Sequence, residues 1–220
     1  MSWRKNGPHR CEDCRLWRPL CICSLIPRFD LKTKVVILIH NRETKRTSNT
    51  GRLAHLILAN SEMRVRGKLN TPLETADLVS PERRSLLLYP TDDAVELSEN
   101  FGGASAEPIT LIVPDGSWRQ ASKVPHRETG LAGVPRVKLP LGRSTEYKLR
   151  MESKPNGLAT FEAIARALGI IEGPHIQSKM ESIFKIMVER TLWARARIPA
   201  NQCTGGIPRE AISNEIFQKS

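Results

Sequence analysis

The chain has 220 residues, 40% of them hydrophobic, with a net charge of +11 and five cysteines. That length fits one substantial globular domain with a small appendage. No apolar run approaches the roughly 20 residues needed to span a bilayer, and the basic start MSWRKNGPHRC lacks the apolar stretch of a secretory signal, so a cytoplasmic location without a membrane partner is expected.

The charge is segregated. Residues 1–70 hold 15 Lys/Arg against 5 Asp/Glu, whereas residues 71–220 hold 19 against 18. Clusters fall at Arg15 and Arg18, at Arg42, Lys45 and Arg46, and at Arg64, Arg66 and Lys68. A basic end on a neutral body suits a polyanion, because neutralising phosphates releases counterions. A solubilising surface is the competing account, but it gives no reason for the segregation.

The first element is CEDCRLWRPLCIC, which places Cys11, Cys14, Cys21 and Cys23 in a C-x2-C-x6-C-x-C pattern. Two close pairs of thiolates can complete a tetrahedron around one ion. Structural zinc is the expected occupant; an iron–sulfur cluster, a redox pair or no metal are the alternatives. Disulfides are the weaker explanation in a reducing compartment. Cys203 stands apart in a polar tail.

Next, KVVILIH at Lys34–His40 predicts a buried strand. A polar loop then leads into a helix capped by Asn49 or Thr50, with Leu53, Leu56 and Ile57 inward. Further strands are expected at residues 85–89, stopped by Pro90, at 109–113, stopped by Pro114, and at 136–139. Helices follow over GLATFEAIARALGI, with Thr160 as its cap, and over residues 175–193. From Pro199 on, the chain is polar and expected to be loosely attached. The division is 1–30 metal-binding segment, 31–198 catalytic domain and 199–220 tail. Alternating strands and helices imply an α/β fold with a mostly parallel sheet flanked by helices. In such sheets ligands collect beyond the strand C-termini, which marks YPTDD, PDGSW and LGRSTEYKLR as walls of one site.

The segments CxxC…CxC, ILIHNRE, SNTGRLA, LLLYP, IVPDGSWRQAS, STEYKLR and GLATFEA, in this order, resemble the DTW-domain proteins over roughly residues 11–190. The name-giving Asp-x-Thr-Trp motif reads Asp115, Gly116, Ser117, Trp118, with serine in place of threonine. The resemblance implies a tRNA-uridine aminocarboxypropyltransferase. Such an enzyme moves the 3-amino-3-carboxypropyl arm of S-adenosylmethionine to ring nitrogen 3 of a uridine, typically in the tRNA variable loop. It also implies kinship with SPOUT methyltransferases and hence a trefoil-knotted cofactor region. A SPOUT-class RNA methyltransferase and a non-catalytic zinc-stapled RNA-binding module are the rival readings, and a monomer is favoured.

Residue roles follow from that chemistry. Asp115 is the candidate general base, since a carboxylate at a sheltered strand end has its pKa raised; a helix cap or a cofactor-amine contact is the alternative. The cofactor-binding set is Tyr89, Pro90, Pro114, Asp115, Gly116, Ser117, Trp118, Ser144, Tyr147 and Glu162. Trp118 is a stacking plane or a packing anchor, and Glu162 a cofactor contact or a partner of the helix dipole. Arg42, Lys45, Arg46, Asn49, Arg52, Arg119 and Arg150 are the RNA-binding candidates. His40 and Glu43, just beyond a strand beside Arg42, resemble family motifs at the RNA-facing side and are not chosen as the base.

Overall fold

The computed structural model describes residues 9–98, 107–150, 156–214 and 217; of the basic residues in the first 70, only Arg4 and Lys5 lie outside them. Six strands form one sheet: β1 (Lys34–His40), β2 (Ser61–Arg66), β3 (Arg84–Leu88), β4 (Val95–Glu96), β5 (Ile109–Asp115) and β6 (Arg136–Lys138). Their order is β2-β1-β5-β3-β6-β4, and the ladders between them are parallel. The expected α/β architecture is therefore present.

Strand alternation sorts the core into two layers. Val35 and Ile37 of β1, with Leu111 and Val113 of β5, face the helices α1 (Gly51–Ile57), α4 (Thr160–Ile171) and α5 (Pro174–Trp193), meeting Phe161, Ile164 and Phe184. Val36, Leu38 and Ile112 point the other way, against Ala121 of α2 (Trp118–Ala121), Val124 of α3 (Val124–Arg127) and Leu131. Both faces of the central strands are covered, which is why β1 reads as one unbroken apolar run.

Four expectations are corrected. Strand β5 does not stop at Val113 but runs through Pro114 to Asp115. Its ladder to β3 ends at Ile112, so beyond that point β5 pairs with β1 alone and tolerates a proline as an edge would. Strand β2 was not expected: SEMRVR carries charges at alternate positions, as edge strands do, and Glu62 pairs with Lys34 at 3.4 Å. In α1 the inward residues are Leu53, Ala54 and Ile57, with Leu56 half-buried. The tail is docked rather than loose, since Ala211 of α6 (Arg209–Ile212) is buried with Trp17 and Leu20.

Candidate active site

Strands β3, β5 and β6 end on the same side of the sheet, and the segments that follow them wall a cavity of about 770 Å³. Tyr89 and Pro90 come from β3, Pro114 to Trp118 from β5, and the 139–143 loop from β6. Glu43 and the 48–50 turn close it from the β1 side, and Tyr147, Arg150 and the start of α4 close it from the C-terminal side. The three segments expected as walls of one site thus do meet. The volume lies within the range of roughly 300–1,000 Å³ usual for small-molecule sites.

Asp115, the last residue of β5, is 5% exposed. It shares the sheet face of Leu111 and Val113, so its carboxylate meets the first turns of α1 and α4. Oδ1 accepts from the Thr160 hydroxyl at 2.6 Å, and Oδ2 accepts from the Asn49 side-chain amide. The Asn49 oxygen is occupied by the backbone N–H of Arg52 at 3.1 Å, so its amine is the end that faces Asp115. Burial pushes the Asp115 carboxyl above the usual carboxylate range; the Asn49 and Thr160 hydrogen bonds oppose that rise, and neighbouring Glu43 adds to it. A methyl group on Gly51 would lie 2.8 Å from Asp115 Oδ2, so only glycine permits this approach.

Most of the expected cofactor-binding residues line the cavity: Tyr89, Pro90, Pro114, Asp115, Gly116, Ser117, Trp118 and Tyr147. Trp118 lies against Tyr89 with ring centroids 6.2 Å apart. Ser117 is the N-cap of α2, and its N–H donates to Gln120 Oε1 at 2.7 Å. Tyr147 is buried, stacks on Phe184 and donates to the Ser48 carbonyl at 2.6 Å, which ties the two sides of the mouth together.

Ser144 and Glu162 are not among the residues that line the cavity. Glu162 is 2% exposed and takes the backbone N–H groups of Glu146 at 2.7 Å and Ala159 at 2.9 Å. It braces the 144–147 loop and the start of its own helix, and it does not line the cavity. Ser144 is exposed and lines a neighbouring pocket instead, and its carbonyl accepts from Arg166. Ala159, not Thr160, is the residue at the N-cap of α4, which frees the Thr160 hydroxyl for Asp115.

The RNA-binding candidates divide. Arg42, Lys45 and Arg119 are exposed beside the mouth. Arg46 pairs with Glu43 at 3.0 Å, and Arg52 reaches the Thr44 carbonyl. Asn49 is engaged by Asp115, and Arg150 lines the cavity with its guanidinium on the Ser48 hydroxyl at 2.6 Å. Of the third basic cluster, Arg66 is buried against Glu128 at 2.8 Å and Arg64 is forked onto Asp77, so neither offers a free charge.

Two residues of the ILIHNRE segment end differently. Burial, helped by Arg66 and Arg42, lowers the His40 pKa and keeps the ring neutral. Glu43, passed over in the sequence, is 3% exposed and lines the cavity. Its place just beyond β1 is visible in the sequence; its burial and its position in the cavity wall are not.

A second constellation sits at the N-terminus. The sulfurs of Cys11, Cys14, Cys21 and Cys23 lie within 4.8 Å of one another. Cys11 and Cys23 are 3.6 Å apart, and Cys14 and Cys21 are 3.8 Å apart. A tetrahedron with metal–sulfur bonds of about 2.3 Å has edges of about 3.8 Å, so the set can hold a metal ion. Burial pushes the Cys14 thiol up to about 11, so it needs a cation to ionise at neutral pH. Arg190 of α5 donates to the Cys21 carbonyl at 2.8 Å, fixing the segment to the core.

The chain belongs to the DTW-domain family, whose model matches residues 8–192. A Drosophila melanogaster protein named tRNA-uridine aminocarboxypropyltransferase 2 is 31% identical, over 76% of this chain and 68% of its own length. A Macaca fascicularis protein of the same name is 28% identical over 74% of this chain, which spans 56% of that relative's length. A solved structure described as the SAM-dependent rRNA:acp-transferase Tsr3 from Vulcanisaeta distributa is 19% identical, with 84% of this chain and 95% of its own covered, at a TM-score of 0.46.

Proposed function

We propose that this member of the DTW family transfers the 3-amino-3-carboxypropyl arm of S-adenosylmethionine to ring nitrogen 3 of a tRNA uridine in the variable loop. The names of the relatives support the reaction, and the cavity suits the co-substrate. Leu88, Tyr89, Leu139 and Leu141 offer apolar wall for an adenine, and Glu43 and Arg150 offer charges for an amino acid. Part of the same reading is a knotted path of the chain around the cofactor.

The observation that carries the reading is the buried carboxylate of Asp115 at the cavity wall. The uridine imide nitrogen bears a proton, and a base whose pKa is raised toward neutrality removes it most effectively. As Asp115 takes that proton, the nitrogen's electron pair forms a bond to the arm's γ-carbon. The carbon–sulfur bond breaks with its electrons on sulfur, and 5′-methylthioadenosine leaves. Thr160 and Asn49 hold the carboxylate still, so no side-chain reorganisation accompanies the step.

In this reading the four cysteines hold zinc. All four positions are protein thiolates, so the metal supplies a closed structural staple with no site for substrate. Arg42, Lys45 and Arg119 bind tRNA phosphates beside the mouth, with Arg46 and Arg52 behind them. Mass spectrometry of nucleosides from tRNA treated with protein and S-adenosylmethionine tests the proposal. Uridine carrying the aminocarboxypropyl mass increment supports it, and a methyl increment or no change refutes it.

A further inference from the structure

Glu43 has one carboxylate oxygen without a hydrogen bond. Its Oε1 faces Arg46 at 3.0 Å. Its Oε2 is buried and receives no hydrogen bond, although the Arg150 guanidinium stands 3.5 Å away. A buried carboxylate oxygen that accepts no hydrogen bond costs free energy even beside a cation, and such an oxygen in a residue of the cavity wall calls for a ligand that donates to it. Arg150 is not free to turn onto it, because two of its nitrogens are held by the Ser48 hydroxyl at 2.6 and 3.1 Å.

The cavity therefore presents an anion and a cation side by side. An α-amino acid group carries the complementary pair, an ammonium that only donates and a carboxylate that only accepts. Asp115 is a poorer partner for the ammonium, since both its oxygens already accept hydrogen bonds. We infer that Glu43 and Arg150 form a zwitterion clamp, Glu43 Oε2 receiving the α-ammonium and Arg150 the α-carboxylate of the ligand's amino-acid arm. This rests on the reading of the cavity as an S-adenosylmethionine site and assigns to Glu43 a binding role that the sequence motifs do not. A clamp on the far end of the arm fixes its γ-carbon relative to Asp115, which lies close enough to Glu43 for the two carboxylates to repel. Holding the arm in this way makes it the substituent the pocket selects.

The test is calorimetric and needs no turnover. Wild-type protein is titrated with S-adenosylhomocysteine, with its analogue in which hydrogen replaces the α-amino group, and with 5′-methylthioadenosine, which lacks the whole amino-acid end. The clamp predicts that loss of the amino group weakens binding to wild type tenfold or more. It also predicts that Glu43→Gln loses that discrimination while binding 5′-methylthioadenosine within twofold of wild type. Equal affinity of wild type for S-adenosylhomocysteine and its deaminated analogue overturns the clamp but leaves the cofactor site standing. Failure of wild type to bind any of the three overturns both. The wild-type comparison stands even where Glu43→Gln does not fold.

Discussion

Thr160, the first residue of α4, donates its hydroxyl to Asp115, the last residue of β5, across 2.6 Å. The bond joins the C-terminus of a central strand to the N-terminus of a long helix, and it partly offsets the upward pull of burial on the carboxyl. Thr160→Val removes the donor at nearly constant volume. The pH dependence of kcat/KM should then move to higher pH, since the anion has lost one of its two stabilising hydrogen bonds. An unmoved profile with a uniformly lower rate would assign Thr160 to packing alone.

Asp115 itself gives two readouts of opposite sign. Asp115→Asn should lower kcat by on the order of a hundred- to ten-thousandfold, the usual contribution of a general base. The same change should raise the melting temperature at pH 8. The folded-state pKa lies above the unfolded value, so in the window between the two the native state binds more protons, and stability falls as pH rises through it. The stability gain of the variant should therefore shrink as pH drops below the folded pKa. Thermal melts at a series of pH values check this, and a variant less stable than wild type at every pH would contradict it.

Gly51→Ala tests the approach of α1 to the site. The added methyl would stand 2.8 Å from Asp115 Oδ2 and 3.1 Å from Ile37 Cγ2. Overpacking of this kind costs about 1–3 kcal/mol, read as a lower urea midpoint, and activity should fall with it because the carboxylate is displaced.

The basic residues should separate into two classes by salt dependence. Replacing Arg42, Lys45 or Arg119 by alanine should reduce the slope of log tRNA affinity against log salt by about 1 for each phosphate no longer neutralised. Arg66→Ala should leave the slope alone and instead destabilise the fold by about 1–3 kcal/mol, because the half-buried Glu128 loses its hydrogen-bonded partner. A changed slope for Arg66→Ala would place its side chain at the RNA.

Cys21→Ser should release the metal and weaken tRNA binding more than cofactor binding, since Cys21 does not line the cavity. Metal analysis together with the two binding constants checks it. Equal loss of both affinities would show that the staple supports the whole fold, through Arg190 and the docked tail.

Strand β1 and helices α4 and α5 were legible because a dense apolar run and a 3.6-residue period are local signals. The position of Asp115 followed from the strand-end rule, although Pro114 was read as the stop when β5 continues past it. The misassignments share a cause, which is partners distant in sequence. Nothing near Glu162 predicts that it braces Glu146, nothing near Asn49 predicts Asp115, and Arg66 reads as a free cation until Glu128 is brought against it. Glu43 was read only as a motif residue on the RNA-facing side, because its burial in the cavity wall depends on the fold that sets Arg150 beside it. Strand β2 was overlooked although Met63 and Val65 alternate with Glu62, Arg64 and Arg66, because two apolar residues among three charges read as a polar segment.

Everything turns on which carbon leaves the sulfonium, and the spent co-substrate records that choice. Chromatography of the small molecules after incubation with tRNA and S-adenosylmethionine measures it directly. Transfer of the amino-acid arm predicts one 5′-methylthioadenosine for each modified tRNA; accumulation of S-adenosylhomocysteine in its place would mean that a methyl group had moved and that the role assigned to this pocket is wrong.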